Sequence, residues 1–135
     1  RADAPVKDSA IVATAEVQST RLSPQSANAR LLVTEVEVSI RSCIKGDCPR
    51  TLVIQVVGGR VGNIEQFIEG EPVPEPGQML GITIFVAAPS QTVALGQARA
   101  YRLSLQRDFS AFARGLTAAG VNAVLPEPGS EPPYR

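Results

Sequence analysis

RLLVTEVEVSIRSCIKGDCPRTLVIQVV, residues 30–57, carries the strongest strand signal in the chain. Residues 30–42 alternate apolar and polar side chains with a period of two, which is typical of a β-strand with one buried face. Residues 51–57 form a nearly continuous β-branched run, which predicts a strand covered on both faces. Between them lies a Lys-Gly-Asp turn bracketed by two cysteines, so the sequence predicts two strands joined by a turn.

The strand pattern extends in both directions from this stretch. Residues 9–22 alternate in the same way, and the polar loop 23–29 joins them to residues 30–42, which predicts an antiparallel hairpin. Residues 78–88 and 98–106 are two further strand candidates, separated by a loop. Gly81, inside the first of these, suggests a bulge or bend such as a barrel corner requires.

Helical periodicity appears only near the C-terminus. Phe109, Phe112 and Leu116 recur at helical spacing, so the sequence predicts a helix over 108–120, with Asp108 or Ser110 as its N-cap and Gly120 as its C′ residue.

These elements predict an all-β fold with one C-terminal helix, built as a small antiparallel sheet or barrel of five to six strands. We expect an N-terminal arm at 1–8, a single β-barrel domain at 9–120, and a Pro-rich tail at 121–135. The expected core consists of the inward-facing residues of the strands: Leu32, Val36, Val38, Ile40, Leu52, Ile54, Val56, Leu80, Ile82, Ile84 and Val86.

The composition and the hydropathy of the chain argue against nucleic-acid binding and against a membrane-spanning helix. The 135 residues include 13 basic and 13 acidic side chains, so the basic excess typical of a nucleic-acid binder is missing and we expect no nucleic-acid partner. No apolar run approaches the roughly 20 residues that a membrane-spanning helix needs. The chain begins with Arg1 rather than Met, so we expect that a signal segment has been removed and that the protein is extracytoplasmic.

Cys43 and Cys48 can be interpreted as a metal site, a redox pair, a nucleophile or a disulfide. The chain has no histidine and no third cysteine, so a four-ligand zinc site and a Cys–His nucleophile both lack partners. A thioredoxin-type pair has two intervening residues at a helix start, whereas here four residues form a turn between strands. The pattern therefore favours a structural disulfide, with no metal, cofactor or catalytic group implied.

The glycine-rich segment GGRVG, residues 58–62, matches neither dinucleotide-binding nor P-loop spacing. It is typical of a sharp turn with a close chain crossing. Arg60 at its tip is the best exposed candidate for contact with a ligand or partner, and the candidate contact residues of the segment are Gly58, Gly59, Arg60, Gly62 and Asn63. Glu35 and Glu37, two apart on one strand, are expected on a solvated outer face rather than in a catalytic cleft.

The segments VTEVEVSIRSCIKGD, TLVIQVVGGRVG and PGQMLGITIFVAA, within residues 33–88, resemble a set of secreted or lipid-anchored bacterial proteins of largely unknown role. Those proteins share the Lys-Gly-Asp turn and a GGxxG loop. More distantly, the order is similar to netrin-like domains and tissue inhibitors of metalloproteinases, which implies an OB-like barrel. Residues 1–3 read Arg-Ala-Asp where those inhibitors carry an N-terminal cysteine, so we do not expect metal-chelating inhibition.

Together the sequence suggests a non-enzymatic extracytoplasmic module that binds another protein or joins a surface assembly. An inhibitor-like domain acting on a secreted protease is the alternative that the resemblance implies. A small hydrolase using carboxylates or a Ser/Lys pair around Lys45 is the remaining alternative, although no nucleophile–base spacing supports it.

The cysteine interpretation predicts one intramolecular disulfide. Reduction should raise the intact mass by two hydrogens, and thiol titration of the denatured, unreduced protein should find no free thiol. Two titratable thiols would contradict both the disulfide and the expectation of an oxidising compartment.

Overall fold

The structure is a computed structural model, and it describes residues 4–24, 32–61, 64–66, 73–86 and 92–125. Two helices and eight strands lie in these ranges: α1 (Ala4–Asp8), β1 (Ile11–Leu22), β2 (Val33–Lys45), β3 (Thr51–Val57), β4 (Gly59–Val61), β5 (Ile64–Gln66), β6 (Met79–Ile84), β7 (Thr92–Val93), β8 (Ala98–Arg102) and α2 (Gln106–Ala118).

Six strands form one sheet in the order β7-β3-β2-β1-β6-β8, curled into a half-barrel, while β4 and β5 form a separate two-stranded sheet. The predicted class, a small all-β barrel-like fold with one C-terminal helix, is confirmed. The prediction of a wholly antiparallel sheet is wrong at one edge, where β7 pairs with β3 in parallel. Between β6 and β8 the chain crosses to the far edge of the sheet, so β7 approaches β3 in the same direction rather than through a hairpin.

The predicted hairpin of the first two strands is confirmed, because β1 and β2 pair antiparallel along most of their lengths. Their register shifts three times, between Val12 and Ala13, between Thr14 and Ala15, and between Val17 and Ser19. Bulges of this kind bend a strand and increase its twist. Two of the extra residues lie in β2 and one lies in β1, so these shifts bend the β1–β2 pair.

Side chains on the concave face of the sheet form an interior cluster, and seven of its eleven buried members were predicted from the sequence. The buried members are Ile11, Ala15, Val17, Val36, Val38, Leu52, Ile54, Leu80, Ile82, Ile84 and Val93. Ile40, Val56 and Val86, also predicted, are partly buried against the cluster. Leu32, the last predicted member, is partly exposed just before β2 begins.

A second, helix-side cluster lies on the opposite face of the sheet, between the strands and the two helices. Its buried members are Val6, Val12, Tyr101, Leu103, Phe112 and Leu116. Residues 4–8, expected to be an arm, instead form α1, because Val6 is 1% exposed and packs with α2 residues in this cluster. The apolar side of a short helix is buried when it packs against a neighbouring helix.

Gly81 has a different role from the predicted bulge, because β6 pairs in continuous register with both β1 and β8. A Cβ at this position would lie 2.7 Å from the ring of Phe112. The glycine therefore makes room for the aromatic ring of α2 against the sheet, and this close approach is the reason for its place within a strand.

The helix begins earlier than predicted, at Gln106, and its N-cap is Leu105, which makes no side-chain cap hydrogen bond. Asp108 instead accepts a hydrogen bond from the backbone N–H of Arg102 at 2.9 Å, so its carboxylate links the helix to β8. The predicted C′ glycine is confirmed: Gly120 has φ +74°, and its N–H donates to the carbonyl of Thr117. The N–H of Val121 donates to Leu116, completing a Schellman stop.

Several element boundaries also differ from the predictions. Strand β6 ends at Ile84 and β8 at Arg102, so both are shorter than predicted. Strand β3 has the predicted bounds, but the prediction that both its faces are covered is wrong: Leu52 and Ile54 are buried, whereas Val53, Gln55 and Val57 on the other face are partly exposed. Residues 121–125 of the predicted tail follow α2 without regular structure, and Val121 and Leu125 pack against the helix-side cluster. Residues 126–135 lie outside the described residues.

The register of β2 yields a paired stability prediction. Val38 is 0% exposed in the interior cluster, so Val38→Ala should lower the free energy of unfolding by about 1–3 kcal/mol through lost burial and a cavity. Glu37 is exposed on the opposite face, so Glu37→Ala should stay within about 0.5 kcal/mol. Urea denaturation measures both, and the reverse order would contradict the register.

Candidate functional site

The glycine-rich segment predicted as a contact site is partly internal. Gly58 and Gly59 are buried, and the hydroxyl of Thr34 donates to the carbonyl oxygen of Gly58 at 2.8 Å. A Cβ at residue 59 would lie 2.7 Å from that same hydroxyl oxygen. These two glycines therefore allow the chain to pass close to β2, as the close-crossing interpretation predicted, and they present little surface to a partner.

The rest of that predicted site is only partly visible. Arg60 lies in β4, where its backbone pairs with Glu65 of β5, and its side chain is not described. Gly62 and Asn63 lie outside the described residues. Contact with a ligand or partner by this segment stays a prediction.

The cysteine-bracketed turn is clamped to the chain segment before β1. Cys43 and Cys48 lie at disulfide distance, with their Cα atoms 5.8 Å apart. Gly46 has φ +82°, and a Cβ there would collide with the carbonyl oxygen of Ala10. The ammonium of Lys45 donates to the carbonyl of Lys7 at 3.3 Å, so it anchors the end of α1. The turn thus joins β2, β3 and the N-terminal segment in one corner.

Strands β1, β2 and β3 carry a series of cross-strand polar contacts on the face that points away from the interior cluster. We call this surface the outer face. At one end Arg41 pairs with Glu16, and its Nε lies 3.0 Å from Oε1. In the middle the hydroxyl of Ser19 donates to Glu37 at 2.9 Å. At the other end Nε of Arg21 lies 2.7 Å from Oε1 of Glu35. The third register shift, a bulge in β1, brings residues 19 and 21 opposite residues 37 and 35.

Glu35 is the most enclosed carboxylate of this face, with its side chain 10% exposed. It also accepts a hydrogen bond from Nε2 of Gln55 on β3 at 3.3 Å. The hydrogen bond from Arg21 lowers the pKa of Glu35, and the partial desolvation that opposes this shift is outweighed by Arg21, Gln55 and Ser23 together. Glu35 is therefore a fixed carboxylate held by three neighbours.

The prediction that both glutamates lie on a solvated face holds for Glu37 and is wrong for Glu35, whose residue exposure is 8%. In the sequence the two occupy equivalent positions of one alternating strand. They differ because Arg21 and Gln55, on the flanking strands, cover only Glu35. Period-two patterning reports the face of a residue but not the cross-strand neighbours that enclose it.

A second polar group lies where β8 meets α2. Tyr101 is 1% exposed, and its hydroxyl has no hydrogen-bond partner among the described residues. The guanidinium carbon of Arg99 lies 4.9 Å from the centre of its ring. Burial raises the pKa of Tyr101, while the Arg99 charge acts in the opposite direction and the Asp108 charge adds to the rise. Tyr101 and Phe112 pack with their ring centres 5.2 Å apart.

Comparison of the chain with protein-family models, curated proteins and solved structures gives no match. The resemblance to secreted bacterial proteins and netrin-like domains therefore stays a prediction. Within the described ranges, no three His, Cys, Asp or Glu side chains come together as a metal site. Neither described helix has the length and apolar character that crossing a membrane requires.

The lowered pKa of Glu35 predicts a pH-dependent contribution of Arg21 to stability. A depressed carboxylate pKa contributes stability above the unfolded-state pKa, and this is lost as pH falls through the folded-state pKa. Arg21→Gln should therefore destabilise the protein near neutral pH, and the difference from wild type should vanish in acid. Because the Arg21 side chain is 72% exposed, the effect should reach no more than about 1 kcal/mol.

Urea denaturation of both proteins between about pH 7 and pH 3 measures this difference. Arg114→Gln, which removes an exposed arginine of α2, is the matched control and should show no such trend. A difference for Arg21→Gln that stays constant with pH would mean that Arg21 acts through its aliphatic packing alone.

Proposed function

We propose that the protein is a non-enzymatic extracytoplasmic module that binds another protein or a neighbouring subunit of a surface assembly. The observation that carries the proposal is the outer face of β1–β3. There the polar side chains are held in cross-strand pairs, whereas the outer side of β6 and β8 is packed under α2.

Side chains held in place before binding favour docking. Arg21 and Glu35 hold each other, and Gln55 adds a second hydrogen bond to the same carboxylate. Fixing a long side chain at an interface costs about 0.5–1.5 kcal/mol, and much of this cost has already been met when the side chain is ordered in the free protein. A rigid polar surface of this kind supports specificity and orientation more than affinity.

The same face also offers apolar surface. Val53 and Val57 flank Gln55 on the outer side of β3, and both are partly exposed. An apolar strip beside paired charges matches the usual composition of a protein interface, in which an apolar centre is bordered by polar groups.

The disulfide between Cys43 and Cys48 supports the proposed extracytoplasmic location. A bond between Cys43 and Cys48 persists in an oxidising environment such as the periplasm or the cell exterior. Because it closes a short turn, its contribution by chain entropy is about 2 kcal/mol. An extracytoplasmic location is compatible with this bond and is part of the proposal.

The C-terminal segment gives a second reason to propose a binding partner. After the Schellman stop of α2, Leu125 packs partly on the helix-side cluster, but Val124 is 96% exposed. The sequence beyond, PEPGSEPPYR, has four prolines, which pre-order a chain in an extended form and reduce the entropy lost on docking. We therefore propose that this tail contributes to binding and not to the stability of the domain.

Capture from an extracytoplasmic extract of the native source, followed by mass spectrometry, tests the function. Wild type should retain a protein that Ser19→Trp loses, because the indole would project from the middle of the outer face. Arg114→Trp places the same group on the exposed side of α2 and should retain it. Equal retention by all three proteins would contradict the outer face as the binding surface.

Deletion of residues 126–135 is the second arm of this experiment. The truncated chain should keep the melting temperature of wild type, because the deleted residues include four prolines, a glycine and two glutamates and have little apolar surface to bury. It should bind the captured protein more weakly. Light scattering after size-exclusion chromatography distinguishes a heterologous partner from self-assembly. A lower melting temperature with unchanged binding would show that the tail stabilises the domain instead.

A further inference from the structure

Strand β8 forms one end of the six-stranded sheet, with β6 as its neighbour in the sheet order. Two hydrogen bonds at its ends show which backbone groups face β6. The N–H of Phe85 donates to Gln97 at 2.8 Å, and the N–H of Leu103 donates to Met79 at 3.1 Å. In an antiparallel pair every second residue is hydrogen-bonded to the partner strand, so the backbone N–H and C=O of Arg99 are also directed toward β6.

The intervening residues Ala98, Ala100 and Arg102 therefore direct their backbone groups away from β6, toward the open edge. The backbone N–H and C=O of Arg102 already have hydrogen-bond partners. Its N–H donates to Asp108, and its carbonyl accepts the N–H of Leu105 at 3.0 Å. The N–H and C=O groups of Ala98 and Ala100 have no described partner, which leaves four hydrogen-bonding groups in a row.

The side chains beside these groups restrict what can bind there. Ala98 and Ala100 face the interior cluster and are partly buried against it. Arg99 points to the other face, is exposed, and rests on the ring of Tyr101. No described carboxylate forms an ion pair with Arg99, because Asp108 lies beside Arg107 at 3.8 Å and bonds to the Arg102 backbone.

From this geometry we infer that the β8 edge binds an extended segment of another protein that reads apolar–acidic–apolar. The segment adds as an antiparallel strand, and its two apolar residues pair with Ala98 and Ala100 and extend the interior cluster. Its acidic residue lies opposite Arg99 in a non-hydrogen-bonded pair, where the side chains of neighbouring strands are closest. The inference rests on the proposed binding function and gives the partner its chemistry.

A second copy of the chain fits this edge poorly. The register that uses all four open groups pairs Ala98 of one copy with Ala100 of the other. It places Arg99 directly opposite its own copy, and like charges in that position destabilise a strand pair. Residues 126–135 of the same chain also fit poorly, because their four prolines lack the N–H groups that a strand must donate.

The test uses the full chain and three blocked peptides. The first is Ser-Thr-Val-Glu-Val-Thr-Ser, and the second and third carry Gln or Lys in place of the central Glu. Titration followed by NMR should give dissociation constants that rise from Glu to Gln to Lys. The Glu and Lys peptides should differ by about three- to tenfold. The amide protons of Ala98 and Ala100 should exchange rapidly in the free protein and become protected by the Glu peptide.

Arg99→Glu should reverse the order of the three peptides, whereas Arg114→Glu, an exposed arginine of α2, should keep it. Ala100→Pro removes an outward N–H at an edge position where proline is tolerated, so binding should be lost from a folded protein. If that variant does not fold, N-methylation of both valines of the Glu peptide makes the same test. Binding that survives N-methylation would overturn strand addition.

Protection of both alanine amides in the free protein would also overturn the inference. Protection that disappears in the 1–125 chain would identify the tail as the occupant, and protection that falls on dilution would identify a second copy. Equal affinity for all three peptides would overturn the role of Arg99. If the peptides fail while the outer-face and tail variants still lose the captured protein, the β8 assignment falls and the proposed function stands.

Discussion

Strand β1 has a hydrophobic core on each of its faces, and most of the fold depends on this position. Ile11 and Ala15 face the interior cluster, Val12 faces the helix-side cluster, and all three are essentially inaccessible to solvent. Because β1 is also hydrogen-bonded to β2 on one side and β6 on the other, a large polar side chain within its first five residues would lose contact with water on every side. The three register shifts between β1 and β2 allow β1 to contact both cores, since they bend the sheet around the interior while the opposite face remains available to the helices.

The sequence predicted the elements better than their neighbours. Period-two alternation located β1 and β2, a β-branched run located β3 with its observed bounds, and helical spacing located α2 to within two residues at each end. It did not locate β7 or α1, because a two-residue strand and a single helical turn are stabilised by the surface they pack on rather than by their own pattern. Gly81 shows the same limit. The sequence shows a glycine in a strand, but only the approach of Phe112 shows why a side chain is excluded there.

Surface chemistry was predictable where it follows from local spacing. The two cysteines indicated a bracketed turn because both lie within a few residues of each other, and the structure brings them to disulfide distance. Glu35 and Glu37 could not be distinguished, because the bulge in β1 between Val17 and Ser19 decides which residue lies opposite each of them. In the glycine-rich segment the sequence predicted a close chain crossing but not its neighbour Thr34, because that contact joins distant parts of the chain.

A half-barrel leaves two sheet edges, and the protein treats them differently. At the β3 edge the chain returns as β7, which pairs with Val53 and Ile54, and Val93 enters the interior cluster, so the chain itself covers this part of the edge. At the β8 edge, Asp108 and Leu105 close only the groups of Arg102, because the first turn of α2 reaches no farther. Unpaired edge groups are a liability that folded proteins normally cover, charge or shorten. Here Arg99 supplies a charge while the adjacent alanines leave the backbone accessible, so this edge resists pairing with its own copy but remains open to an acidic strand.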